Sequence, residues 1–402
     1  MTLWLIVRKS LRQHALSTVV TALSIALAGG LLMSVWTVKD QARATFTGVN
    51  GGFDAVLGAR GSKLQLVLNS IFHLEASPGN VSGPDYLDIK NNRNVALAIP
   101  IAVGDNYKGY RLVGTIPELF EKVEYSPGKH YELEVGGSFF DPTRREAAVG
   151  SFAAAKLGLK PGDTFHPYHG LIYNERDQHS ETYTVVGILK PSNTPADRVI
   201  WIPLEGIQKM KGHDPKAATD VSAVLVKLKG GGPVGFQMDM MYNKQGNRLT
   251  FAWPIATTIA ALFDKIGWFD KVLALVSYLV ALVATMSILA SIYNSMNERR
   301  REIAILRALG ARRRTIFSAI LLEAAAISTL GMVVGFLVYL IIMTGAATII
   351  RAQTGIVLDP FAWNAVMLWA PLALIGLGAL SGIVPAMKAY RTDVAEHLTP
   401  IS

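Results

Sequence analysis

Apolar residues gather into four runs along the chain, each long enough to cross a bilayer as a helix, for which roughly 20 apolar residues are needed. The first is Leu16–Val38, LSTVVTALSIALAGGLLMSVWTV, and the second is Val272–Ile292, VLALVSYLVALVATMSILASI. The third begins near Ile316 and carries no charge between Glu323 and Arg351; the fourth, Phe361–Met387, carries none at all. Between the first two runs, from Lys39 to Lys265, the pattern is that of an ordinary soluble chain. Within it ETYTVVGIL, RVIWIPL and VSAVLVKLK alternate as strands do, whereas GPDYLDIKNN and EAAVGSFAAAKLG read as helices. The predicted fold is therefore an α-helical membrane protein of four transmembrane helices, with an α+β extracytoplasmic domain inserted between spans 1 and 2. That insertion is long enough for a core of its own. Two lobes are expected, the second centred on about 130–215, and LKGGGPVG reads as a hinge or hairpin before the return to the membrane.

Composition agrees with the hydropathy. Half of the 402 residues are apolar and only 17% are charged, sparse for a soluble protein. The absence of cysteine removes disulfides, thiolate catalysis and Cys-ligated zinc. A net charge of +9 could suggest nucleic acid, but the basic residues cluster at the ends of spans and not across a soluble surface. Arg8, Lys9 and Arg12, seven arginines between Arg299 and Arg314, and Lys388 with Arg391 all fall on one side of a four-span topology. By the positive-inside rule that side is the cytoplasm, and the same arginines can also bind anionic headgroups. The first apolar run is longer than the usual signal-peptide core of about 7–15 residues, so it reads as a retained anchor. The expected segments are a cytoplasmic helix (1–15), span 1 (16–38), the extracytoplasmic domain (39–265), a stalk with span 2 (266–297), a cytoplasmic loop (298–315), span 3 (316–350), an external link (351–360), span 4 (361–387) and a cytoplasmic tail (388–402).

The loop NERRREIAILRALGARRRTIF holds the densest positive charge and still reads as a helix. Ile303, Leu306 and Leu309 or Gly310 recur at three- and four-residue spacing, beside Ile305 and Ala308. Gly310 is placed as a helix-stop glycine. A short helix with one greasy and one charged side fits either a docking element for a soluble partner or a membrane anchor.

This loop closely resembles the signature of FtsX/MacB-type ABC transporter permeases, a Glu-Ile-x-x-x-Arg-Ala-Leu-Gly core between spans two and three. Glu302, Ile303, Leu306, Arg307, Ala308, Leu309 and Gly310 match it. VRKSLRQHALSTVVTALSIALAGG resembles the family's opening helix and first span. REAAVGSFAAAKLGLKPGDTF with YTVVGILKPSNTPADRVIWIPLEGI resembles its extracytoplasmic module. The tail VPAMKAYRTDVAEHL resembles the closing segment, with Val394 where the family usually has proline. The resemblance implies that the loop is a coupling helix seated in a groove of a separate ABC ATPase. Glu302 and Arg307 would make polar contacts there, and Ile303 and Leu306 would fill the groove. It further implies a homodimer in the inner membrane of a Gram-negative bacterium, with both termini cytoplasmic, and a periplasmic adaptor, lipoprotein or metal-binding protein as possible partner.

ATP chemistry is not expected in this chain. The nearest approach to a phosphate cradle, GARGSKL at Gly58–Leu64, has the wrong order and spacing and lies on the external side. No nucleophile motif is recognisable. ATP and Mg²⁺ are therefore assigned to the partner, with no cofactor bound by this chain. From Thr257 to Arg301 no proline interrupts a helical pattern, and those 45 residues would span roughly 65 Å unless Gly267 breaks them. Such a rod would let ATPase closure move the external domain mechanically. Gly331 with Gly335, and Gly378 with Gly382, allow close helix approach. Glu323, inside span 3, can pair, snorkel or couple to protons. In FHPYHGLIYNERDQH, His166, His169 and His179 stand near Glu175 and Asp177, a ligand set zinc accepts, although a solvated loop has the same composition. The expected function is a permease that moves a substrate (lipoprotein, peptide, haem or small toxic molecule) on the external side. The alternatives are a signalling complex controlling a cell-wall hydrolase and a zinc-handling permease.

Overall fold

The computed structural model describes residues 3–298, 303, 305, 307–308, 310–354 and 357–391. The chain divides into two compact units, one of Met1–Gln41, Gly267–Ile349 and Leu358–Ser402, the other of Ala42–Ile266 and Ile350–Val357.

Among the described residues four helices are long and apolar enough to cross a membrane: Ala15–Gly48, Ile255–Asn294, Arg313–Gln353 and Val366–Lys388. The first continues ten residues past the expected boundary at Val38, because nothing in KDQARATFT breaks a helix before Gly48. The fourth begins at Val366 and not at Phe361. Asp359 and Pro360 turn the chain, Phe361 N–H bonds Asp359 Oδ1 (2.9 Å), and Asn364 Oδ1 accepts from Val366 N–H (3.0 Å) at the helix start. The second helix, Ile255–Glu298, runs 44 residues without a break at Gly267, about 66 Å at 1.5 Å per residue.

Glycines set the helix contacts in the membrane unit. A Cβ on Gly331 would lie 2.7 Å from Ile25 Cβ and 2.8 Å from the Ala22 carbonyl, so helices one and three meet backbone to backbone. Gly335 faces the Ala26 carbonyl at 3.3 Å, Gly382 faces Ala324 Cβ at 3.0 Å, and Gly378 abuts the Ser328 side chain. Without a hydrophobic drive inside lipid, such close approach is what holds helices together. Trp36 meets Trp369 edge-on at 5.9 Å. Glu323 is buried and accepts a hydrogen bond from Ser10, itself buried on the amphipathic N-terminal helix Leu3–Gln13.

The second unit is built on twelve strands. In chain order they are β1 (Ala55–Ala59), β2 (Val95–Tyr107), β3 (Tyr110–Thr115), β4 (Glu124–Ser126), β5 (Lys129–His130), β6 (Glu146–Val149), β7 (Thr164–Phe165), β8 (Tyr168–His169), β9 (Tyr183–Ile188), β10 (Ile200–Pro203), β11 (Ala223–Leu228) and β12 (Leu249–Ala252). Ten form one mixed sheet in the order β12-β1-β11-β2-β3-β10-β6-β9-β7, with β8 added to β2; β4 and β5 pair separately. Only β3–β10 and β6–β9 are parallel. One sheet runs through the whole domain, because the 13-residue β2 pairs with β11 along its first part and with β3 along its second. Both faces are covered, as the period of two in β1 shows. Val56 joins a core with Phe53, Leu66 and Trp201, while Leu57 joins another with Ile89, Val224 and Phe251.

Two local expectations fail for identifiable reasons. EAAVGSFAAAKLG is not one helix but strand β6, then Gly150, then the helix Ser151–Leu157. Gly150 is the break: its N–H bonds the Val199 carbonyl at 2.8 Å, and a Cβ there would collide with the backbone of Ala196 and Asp197. LKGGGPVG is neither hinge nor hairpin, since Gly232–Asp239 is a helix with Pro233 in its first turn.

His73 gives the domain a measurable acid sensitivity. Its ring meets Trp201 edge-on at 5.5 Å, its Nδ1 is sealed from solvent without a hydrogen-bond partner, and its φ is 54°. Burial, with Arg111 nearby adding to it, drives the imidazole pKa down to about 3. The ring is thus neutral in the folded state, while an unfolded histidine takes a proton below about pH 6.5. This contribution to stability is complete above pH 6.5 and lost as pH falls from 6.5 towards 3, at about 1.4 kcal/mol per pH unit. His73→Asn, which tolerates positive φ, should flatten the acid limb of the urea midpoint plotted against pH. Parallel acid limbs in the two proteins would dismiss the assignment.

Candidate functional site

Between Arg299 and Gly310 the described residues are Ile303, Ile305, Arg307, Ala308 and Gly310; Glu302, Leu306 and Leu309 lie outside them. Ile303 is buried in its own chain (8% exposed) and Ile305 is open (44%), as expected two residues apart on a helix. Ile303 thus packs inward within this chain, and among the described residues of the loop the exposed large apolar side chain is Ile305. Gly310 has φ +96°, the left-handed region that favours glycine, and its N–H bonds the Arg307 carbonyl at 3.0 Å.

The second site lies in the mixed sheet. After a register slip between Val103 and Asp105, β2 pairs with β8, placing Asp105 opposite His169. His179 arrives from the next loop, where its N–H bonds the Pro167 carbonyl at 2.9 Å. His213 follows the helix Leu204–Gln208, its N–H on the Met210 carbonyl at 3.2 Å. Asp105 Oδ1 then stands 3.2 Å from His179 Nε2, 3.3 Å from His213 Nε2 and 3.4 Å from His169 Nδ1. The three rings pack edge to face with centroids 5.2–5.4 Å apart. Burial is graded from Asp105 (0% exposed) through His179 and His213 to His169 (56%). The Asp105 carboxylate, bonded to His213, holds that imidazole above its ordinary pKa range.

Sequence spacing had grouped His166, His169 and His179 with Glu175 and Asp177. The structure unites only His169 and His179, and adds Asp105 and His213. His166 is exposed, with Nδ1 3.1 Å from the Glu181 carbonyl, because it lies between β7 and β8 and not opposite β2. Glu175 and Asp177 sit in an exposed turn, occupied with Tyr173 and Asn174. One carboxylate and three imidazoles around a common point can hold either protons or a divalent cation.

The two units define a multi-span membrane protein with a mixed α/β domain between its first two spans. Residues 16–234 match the MacB-like periplasmic core domain, and residues 274–394 match the FtsX-like permease C-terminal domain. The chain belongs to the FtsX/MacB-type permease family; its role is that of an ABC transporter permease with an extracytoplasmic domain. Curated relatives include the pyoverdine export ATP-binding/permease protein PvdT of Pseudomonas syringae pv. tomato, 27% identical over 277 residues, covering 65% of this chain and 40% of the relative. The macrolide export ATP-binding/permease protein MacB of Nitrobacter winogradskyi is 26% identical over 159 residues, covering 40% of this chain and 24% of the relative. The chain thus spans well under half the length of these relatives. Among solved structures, the periplasmic region of MacB from Actinobacillus actinomycetemcomitans aligns with a TM-score of 0.35 and 10% identity, over 54% of this chain and 94% of that one.

Proposed function

We propose that this permease carries ATP-driven motion from a separate ABC ATPase to its extracytoplasmic domain, where the motion exports or extracts a substrate. The observation behind this reading is the unbroken helix Ile255–Glu298, which leads from the base of the mixed sheet, just after β12, directly to the arginine loop. A continuous helix resists bending and so passes on displacement applied at one end. The exposed Ile305 and the glycine-terminated helix at Gly310 suit a docking element, and the basic clusters at the span ends support a cytoplasmic loop and cytoplasmic termini. ATP and Mg²⁺ belong to the ATPase, two copies of which would serve a permease homodimer in the inner membrane. The export named for PvdT and MacB favours substrate movement over signalling to a hydrolase.

Leu306→Glu combined with Arg307→Glu should reduce ATP turnover of the reconstituted complex to that of the ATPase alone, while the permease remains inserted. Gly267→Ala, where a Cβ meets nothing within 4 Å, should retain coupling, and Gly267→Pro should lose it. Unchanged turnover in the loop variant would remove the docking assignment; unchanged coupling in Gly267→Pro would remove the rod.

A further inference from the structure

We propose that Asp105, His169, His179 and His213 form a zinc-binding site on the extracytoplasmic domain, loaded from the cavity beside it. The hydrogen bonds of the rings identify which atoms face the centre. His179 Nδ1 lies 3.0 Å from the Lys211 carbonyl and His213 Nδ1 lies 2.8 Å from the Ile207 carbonyl. A carbonyl only accepts, so each Nδ1 carries a proton. In a neutral ring that leaves Nε2 with a bare lone pair, and both Nε2 atoms point at a carboxylate oxygen. Lone pair against lone pair is repulsive. The arrangement therefore requires positive charge at its centre, either an imidazolium proton on each ring or one cation shared by all.

Two imidazolium rings with centroids 5.4 Å apart, that of His179 buried and that of His213 only partly exposed, would repel each other. A single divalent cation satisfies every donor at once. The distances agree: a tetrahedron with bonds of about 2.0–2.1 Å has donor–donor edges of about 3.3–3.4 Å, and Asp105 Oδ1 lies 3.2, 3.3 and 3.4 Å from the three nitrogens. One donor atom from each of the four residues lies within 4.8 Å of the others. The backbone carbonyls on the two Nδ1 atoms are the outer-shell partners that orient zinc-ligating histidines.

A second observation points the same way. Asp105 is fully buried, its Oδ2 has no hydrogen-bond partner, and among the described residues its ion-pair partners are these three histidines. No lysine or arginine among them neutralises it, so a buried carboxylate awaits a cation. A cavity of about 350 Å³, lined by His169, His213, Gly104, Asp214 and Asp220, reaches the site from its exposed side. Its two further carboxylates favour entry of a cation. Three imidazoles and one carboxylate suit zinc over magnesium or calcium, which require six or more oxygen donors.

The test uses the full chain without a histidine tag, purified in detergent and stripped with chelator. Zn²⁺ titrated against a chromophoric competitor should load one ion per chain. His169→Ala and His213→Ala should weaken binding beyond the roughly 10–100-fold that loss of an outer-shell partner costs, while His130→Ala and His166→Ala should leave it unchanged. Co²⁺ should give the intense visible absorption of a four-coordinate site, and His169→Ala should abolish it. Because His169 is exposed, that variant decides the matter even if His213→Ala fails to fold. Absence of saturable Zn²⁺ binding, full binding by His169→Ala, or the pale spectrum of six-coordinate cobalt would each overturn the proposal.

Discussion

Gly331→Val is expected to force the first and third membrane helices apart, at a cost of about 3 kcal/mol. The first added carbon alone would stand 2.8 Å from the Ala22 carbonyl, and a backbone atom cannot rotate out of the way as a side-chain tip can. Ile25, fully buried on the facing helix, closes the other side at 2.7 Å. Gly345 on the same helix is the internal control, because a Cβ there meets nothing within 4 Å. Gly345→Ala should be neutral or slightly stabilising, by up to about 1 kcal/mol of helix propensity. Thermal denaturation of both variants in one detergent makes the comparison; equal midpoints would mean that the close approach at Gly331 does not hold the bundle.

The second large effect is expected in the domain. Asp197 is buried, and its carboxylate accepts from Ser192 N–H (3.0 and 3.1 Å), Ser192 Oγ (2.7 Å) and Asn193 N–H (2.9 Å). Burial pushes its pKa up, and these hydrogen bonds oppose the rise. They also hold Asn193 at φ 56°, from which its Oδ1 accepts Val357 N–H at 2.6 Å. Asp197→Ala strands two backbone donors at once, at about 1–3 kcal/mol for each group left unsatisfied. A loss of about 3 kcal/mol is expected in urea unfolding, with faster proteolysis at residues 192–194; Asp197→Asn, which keeps one acceptor oxygen, should fall between. An Ala variant as stable as the parent would show that water satisfies these donors.

Membrane helices are legible in a sequence because lipid imposes one rule on every residue of a span: the backbone must satisfy itself, and the side chains must be apolar. Hydropathy therefore located all four candidate helices, although it did not fix their ends: the first runs on to Gly48, the second starts at Ile255 and the fourth starts at Val366. The histidine site obeys no such rule. Its members come from residues 105, 169, 179 and 213, joined by a register slip in β2 and by a strand pairing of two residues. Neither leaves a spacing that can be read along the chain. The visible clue was weaker: VALAIPIAVGDNY puts a carboxylate at the end of a long apolar strand, where a buried charge needs a partner. His166 misled because proximity along a chain is not proximity in a sheet. Gly150 misled differently, since alanine-rich flanks on both sides of it favour helix while the close backbone approach that demands a strand is tertiary.

The position of β1 governs how this domain can be made. β1 pairs with β11 and β12 alone, matching Ala55 with Val226 and Ala59 with Leu249. The first strand to leave the ribosome must thus wait for the last two before it has any neighbour. Loop closure over such separations is slow. Until residue 252 has crossed the membrane, β1 offers two unpaired edges to any other chain within reach. Biogenesis of this protein should accordingly depend on extracytoplasmic chaperones more than its final stability suggests, and truncations ending before β11 should aggregate where the whole chain does not.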